Sequence, residues 1–169
     1  TSLVKSLQKE YQLHQNNTFV TGISNGGFMT YSLALHTPSL FAAYAPVIGT
    51  MSGKDWMERT YQNPVPIIHI CGLDDEVVPY DGTGSLEDGW GGAPSMEIII
   101  DYWAEVNQCD QPQEIHLTEN TTLIKYQNGI NNHEVWLVKI KHHGHNFPTK
   151  GTDIDGGELI WEFFSKYIK

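Results

Sequence analysis

The sequence predicts a three-layer α/β fold on a mostly parallel sheet, and three observations predict it. Short apolar or β-rich runs alternate with helical periodicity along the 169 residues. Two of those runs, "FAAYAPVI" and "VPIIHIC", are apolar almost throughout, as strands covered on both faces must be. A third run, at 18–23, stops at a glycine-rich break and turns at once into a helical pattern.

Taken in order, Leu3, Val4, Leu7 and Tyr11 recur at helical spacing, so residues 2–14 read as an amphipathic helix. A polar loop at 14–17 leads to the strand at 18–23. Helical character returns over 26–36 and stops before Pro38. Residues 41–48 and 65–71 are the two buried strands, with a short helix or loop at 53–61 between them. Residues 74–94 carry the Gly and Asp of a long loop. Ser95 is a suitable N-cap for a helix over 95–107. Strand-like runs follow at 114–117 and 122–126. Asn128-Gly129 is a turn signal, and "HEVWLVKI" at 133–140 alternates like a strand. After a loop at 141–157, residues 158–168 read as an amphipathic closing helix.

This length favours one domain over residues 1–169 and allows a real core. No apolar run approaches the ~20 residues of a membrane helix, so no membrane partner is expected. Ten Lys and Arg stand against twenty Asp and Glu, for a net charge of −10. Nucleic acid is not expected as a partner, because phosphate binding needs clustered cations. Two cysteines, Cys71 and Cys109, are too few for a disulfide framework. Asn16 and Asn120 head sequences that fit the glycosylation sequon.

The chemistry starts at "TGISNGG". Gly22-Ile23-Ser24-Asn25-Gly26 matches G-x-S-x-G between a strand and a helix. Such a turn holds the Ser24 hydroxyl clear of the sheet, and glycines let strand and helix cross without a Cβ clash. It aims the Asn25 backbone N–H, at a helix N-terminus, toward a developing oxyanion. The plainer alternative is a serine N-cap beside a tight turn.

A serine nucleophile needs a histidine, and the histidine a carboxylate. "VPIIHICGLDDEVVPYDG" places Asp74 and Asp75 in the loop after a buried strand. One of the two can cap its own backbone while the other does chemistry. Of the eight histidines, His14 precedes Ser24, which is the wrong order. His36, His69, His116 and His133 fall in or beside elements. "KHHGHNFP" follows the last strand, and Gly144 frees the loop to turn His145 inward; His142 and His143 read as solvated loop. A competing metal site would draw on His143 and His145 with Asp153 and Asp155. A closed site wants three or four converging ligands, and neither HExxH nor CxxC occurs. No metal or other cofactor is expected.

With these segments in order, the chain resembles an α/β-hydrolase of the carbohydrate esterase family 1, polyhydroxybutyrate-depolymerase and feruloyl-esterase type. "FVTGISNGGFMTYSLALHTPSLFAAYAPVIGT" resembles the family's nucleophile strand, helix and next strand. "ICGLDDEVVPYDG" resembles its H-G-T-x-D-x-x-V-P-Y acid loop, "WAEVNQC" a helix end, "HHGHNFP" its G-G-H-x-W-P, and "IWEFFSKY" its closing helix. The resemblance implies Ser24, Asp75 and His145 as catalytic triad and Asn25 as oxyanion donor. Trp90, Phe147 and Tyr80 are candidate substrate-binding aromatics. It implies a serine esterase acting on feruloyl, acetylxylan or short polyester substrates, free or on a polymer, in a secreted or periplasmic setting. Cys71 replaces the family's usual His, His143 a Gly, and Phe147 a frequent Trp. Family members also carry several strands before the nucleophile strand, where this chain has one helix. The expectation is that the front part was removed, belongs to a longer reading frame, or comes from a second chain. The competing expectation is a non-catalytic esterase-like binding or scaffold module.

Overall fold

The computed structural model describes residues 1–59, 63–82 and 91–169. Six strands form one sheet: β1 (Val20–Ile23), β2 (Tyr44–Val47), β3 (Ile67–Gly72), β4 (Gln113–His116), β5 (Thr121–Tyr126) and β6 (Val135–Ile140). Their order is β1-β2-β3-β6-β5-β4. The first four in that order run parallel, and β5 and β4 add an antiparallel hairpin beyond β6. Among the described residues, five α-helices join them: α1 (Ser2–Glu10), α2 (Asn25–His36), α3 (Gly53–Glu58), α4 (Met96–Asn107) and α5 (Gly156–Ser165).

Strand alternation divides the core into two. Tyr44, Ile67, Cys71, Val135 and Leu137 face α2 and α4. Ala45, Val47, Ile68, Ile70, Trp136 and Val138 face α5. The three-layer α/β fold follows from that alternation. Helix α2 buries Gly27, Thr30, Tyr31, Ala34 and Leu35, the 3-4 spacing of a single stripe. Helix α4 repeats it with Met96, Ile99, Ile100, Trp103, Ala104 and Asn107.

The helix starts are chemically marked. Ser95 Oγ accepts the Ile98 N–H, as expected of the N-cap. Ser52 does the same for α3, and Asp155 for α5 through the Glu158 N–H. Asp155 therefore starts the closing helix two residues earlier than its apolar pattern suggests. Helix α1 is shorter than its periodicity: it ends at Glu10, and Gln12 turns left-handed at φ 52°. The apolar stripe of α1 is not packed away, with Leu3 68% and Tyr11 63% exposed. The Asn128-Gly129 signal opens a wider connection than a two-residue hairpin, through a short 3-10 turn at Ile130–Asn132.

Two features position the site. The carboxyl ends of β1, β3 and β6 lie on one rim of the sheet, where ligands of such folds collect. Strand β1 is an edge: β2 pairs with one side, and no described residue pairs with the other.

Candidate active site

Strand β1 ends in a turn of constrained backbone. Ser24 adopts φ 53° and ψ −115°, a region that non-glycine residues occupy only when their surroundings impose it. Its N–H stays in the ladder, donating to the Val47 carbonyl at 2.9 Å, while its carbonyl accepts from the Gly27 and Phe28 N–H groups. The residue thus belongs to strand and helix at once, and the side chain is pushed out from the rim. Asn25 opens α2, so its N–H is among those an α-helix leaves without an intrahelical partner.

The glycines around the turn do unequal work. A Cβ on Gly22 would lie 2.2 Å from the Gly26 carbonyl oxygen, so strand and helix cross there backbone to backbone. A Cβ on Gly27 would stand 3.0 Å from the Gly49 Cα. A Cβ on Gly26 would meet nothing within 4 Å among the described residues. The expectation that both glycines flanking the serine are needed for the crossing therefore holds for Gly22 and not for Gly26. Gly27 and Gly49 take the second role, shaping the end of β2 around the serine.

Asp75 and His145 arrive from the adjoining strand ends. The loop after β3 presents Asp75, whose side chain is 2% exposed, and the loop after β6 presents His145. His145 Nδ1 is 2.8 Å from Asp75 Oδ2, and His145 Nε2 is 2.8 Å from Ser24 Oγ. A carboxylate only accepts, so Nδ1–H donates to Asp75 and Nε2 accepts the Ser24 hydroxyl. The other carboxylate oxygen, Oδ1, accepts the Val77 and Val78 N–H groups at 2.9 and 2.8 Å. The turn-capping role and the histidine-orienting role, divided between Asp74 and Asp75 in the sequence reading, both fall to Asp75. Asp74 is exposed, with His142 Nδ1 3.7 Å away. An arrangement of this kind can take a proton from a serine hydroxyl and hold the resulting imidazolium.

The remaining candidates fare differently. His143 is not solvated: it is 7% exposed, and its Nε2–H donates to the Asn146 carbonyl at 2.7 Å. Asp153 accepts the Thr118 and Thr121 hydroxyls and Asp155 caps α5, so the four groups of the competing metal reading each serve another partner. A separate group, His36, Asp55 and Glu58, gathers three ligand atoms within 4.8 Å. There His36 Nε2 is 3.1 Å from Asp55 Oδ1 and Ser52 Oγ donates to Oδ2, which ties α2 to α3 far from Ser24. Burial pushes the Cys71 thiol well up, so it is no thiolate nucleophile at neutral pH. Both cysteines are free.

Of the aromatics, Phe147 lines an apolar groove of about 450 Å³ with Thr21, Gly22, Ile23, Ile160 and Trp161, directly beside Ser24 in the chain. Tyr80 is turned elsewhere: its hydroxyl donates to Glu97 Oε1 at 2.7 Å, and its ring packs on the α4 side of the core. It anchors the acid loop to α4. Trp90 lies outside the described residues. A larger groove, about 760 Å³, opens at the opposite rim among Phe41, Val65, His133 and Lys166. It holds none of the three polar groups just described.

Residues 1–65 match the family model described as the prolyl oligopeptidase family. The bifunctional acetylxylan esterase/xylanase XynS20E of Neocallimastix patriciarum is 24% identical over 99% of this chain and 23% of its own length. A probable feruloyl esterase C of Aspergillus niger is 30% identical over 54% of this chain and 33% of its own. Among solved structures, an acetyl xylan esterase from Aspergillus awamori superposes with a TM-score of 0.65 at 16% identity, over 96% of this chain and 64% of that one. Esterase PE8 gives 0.60 at 16% identity, over 99% and 58%. The chain spans under two thirds of these structures and about a third or less of these curated relatives. With its sheet order, its strand-to-helix serine turn and this likeness over nearly its whole length, the chain has the α/β-hydrolase fold.

Proposed function

We propose that this chain carries the catalytic residues of a serine esterase. The hydrogen-bonded line from Ser24 through His145 to Asp75, starting at a serine in a strained turn, is the observation that carries the reading. His145 Nε2 takes the hydroxyl proton as Ser24 Oγ bonds to the ester carbonyl carbon. The carbonyl π electrons move to oxygen, and the Asn25 N–H meets that oxyanion. The imidazolium returns its proton to the departing alkoxide as the C–O bond breaks. Water then repeats the sequence on the acyl-enzyme and restores Ser24. Asp75 holds the tautomer and stabilises the imidazolium. No cofactor takes part.

The substrate class is a carboxylic ester of the acetylxylan, feruloyl or short polyester kind. The names of the relatives support the first two, and the apolar groove at Phe147 suits an acyl or aryl group. A secreted or periplasmic setting goes with polymeric substrates; among the described residues, no helix is long and apolar enough to cross a membrane. The reading includes a further segment, on the same polypeptide or a second chain, that covers the free side of β1 and gives a second oxyanion N–H.

A fluorophosphonate probe tests this directly. Labelling of the wild type, located to Ser24 by peptide mass and lost in Ser24→Ala, is the expected result. Labelling that persists in folded Ser24→Ala overturns the assignment. No turnover of p-nitrophenyl acetate or methyl ferulate by a labelled-competent protein would favour a binding module instead.

A further inference from the structure

We propose that His143 is a positioning residue that holds the His145 imidazole in line between Asp75 and Ser24. The proposal rests on the esterase reading for its catalytic consequence, but its geometry stands apart from it.

The base loop leaves β6 through His142, which sits at φ 55°. Neither that turn nor Gly144 fixes the direction of the His145 side chain by itself. His143 supplies the constraint from both ends of the residue. Its ring reaches past Gly144 and His145 and donates Nε2–H to the Asn146 carbonyl at 2.7 Å, closing the loop beneath His145. Its backbone carbonyl accepts the Asp74 N–H at 3.1 Å, beside the acid itself. The contact with the acid strand is tight: a Cβ on Gly72 would fall 2.0 Å from that same carbonyl oxygen. His143 therefore ties the histidine loop to the aspartate loop by its backbone, and braces the histidine loop by its side chain.

The chemistry of the brace is specific. A carbonyl only accepts, so His143 Nε2–H is the donor of this bond. At 7% exposure the ring is packed into the loop and not free in solvent. A base displaced by about an ångström costs ~10²-fold in rate.

The test compares His143→Leu, which fills the space without a donor, with His143→Gln, whose amide N–H reaches close to the position of Nε2. His143→Ala carries the same comparison if the leucine variant does not fold. Two readouts are taken on folded protein. The first is the rate of Ser24 labelling together with kcat and KM on p-nitrophenyl acetate. The second is the downfield proton resonance of His145 Nδ1–H, hydrogen-bonded to Asp75. The leucine variant should lose about 10- to 100-fold in labelling and kcat, with KM little changed and the downfield proton broadened or absent. The glutamine variant should recover most of both. A sharp, unshifted resonance in His143→Leu, or a glutamine variant as impaired as the leucine one, overturns the brace. Wild-type protein that shows the resonance but does not label rejects the esterase reading alone, and the resonance comparison still decides the role of His143.

Discussion

Gly22 and Gly26 flank the same serine, yet only Gly22 is required by packing: its missing Cβ makes room for the Gly26 carbonyl 2.2 Å away, whereas a Cβ on Gly26 meets open space. Gly22→Ala should therefore force strand and helix apart and give insoluble or strongly destabilised protein. Gly26→Ala should fold, with a small gain from replacing a helical glycine, on the order of 0.5–1 kcal/mol. Thermal unfolding of the two variants decides it. Equal loss in both would mean that the open space beside Gly26 is filled in solution.

Asp75 divides its partners by oxygen, with Oδ1 on the loop backbone and Oδ2 on His145. Asp75→Asn keeps an acceptor for the Val77 and Val78 N–H groups but offers His145 an amide where a carboxylate stood. It should fold nearly as well as wild type and lose ~10⁴ in kcat. Asp75→Ala also strands the buried Val78 N–H and the half-buried Val77 N–H and should cost a further ~1–3 kcal/mol of stability. Urea titrations alongside Ser24 labelling would show the split; a fully active Asn variant would refute it.

The hydrogen-bonded line of Ser24, His145 and Asp75 was legible in outline because each residue follows a strand in a set order, and strands are read from apolar runs. That order marked the Asp74-Asp75 pair and the histidine cluster; the family resemblance singled out Asp75 and His145 within them. What was not legible depends on the path of the chain between strands. Three histidines cluster after β6, and periodicity has no say over which one the loop turns inward. Hence His143 read as solvated although its ring is buried. Tyr80 shows the same limit: an aromatic near an acid loop looks like a substrate contact until Glu97, 17 residues on, is found to take its hydroxyl. The unequal flanking glycines are set by the crossing of β1 and α2, a tertiary quantity.

His69 gives the protein an acid limb unrelated to its chemistry. It sits in β3 wholly buried, with Nδ1 2.9 Å from the Tyr31 hydroxyl and no partner at Nε2 among the described residues. Burial pushes its pKa from 6.5 down to about 3. Between those values the unfolded chain binds a proton that the folded chain refuses. Stability from this group is complete above pH 6.5 and falls toward pH 3, by about 1.4 kcal/mol per pH unit. Urea unfolding from pH 7 to 5 should show a shallower decline in His69→Gln than in wild type. Parallel slopes would rule the linkage out.

The free side of β1 should govern how the isolated chain behaves. Unpaired N–H and C=O groups along a strand edge template pairing with another chain. Here apolar side chains lie beside that edge, with Ile23 48% and Trp161 59% exposed. The groove of Ile23, Phe147, Ile160 and Trp161 runs along it on the α5 side. Exposed apolar surface of this extent around an open edge is rarely left uncovered in a monomer. The 169-residue chain should therefore self-associate as its concentration rises. Placing charge at the edge, with Ile23→Lys and Trp161→Lys together, should shift sedimentation toward the monomer by blocking both strand pairing and apolar contact. The same pair of changes placed at Met57 and Ile98, equally exposed but on other elements, should leave association unchanged. Monomeric wild type at high concentration, or equal effects from the two pairs, would mean that β1 is not the associating surface.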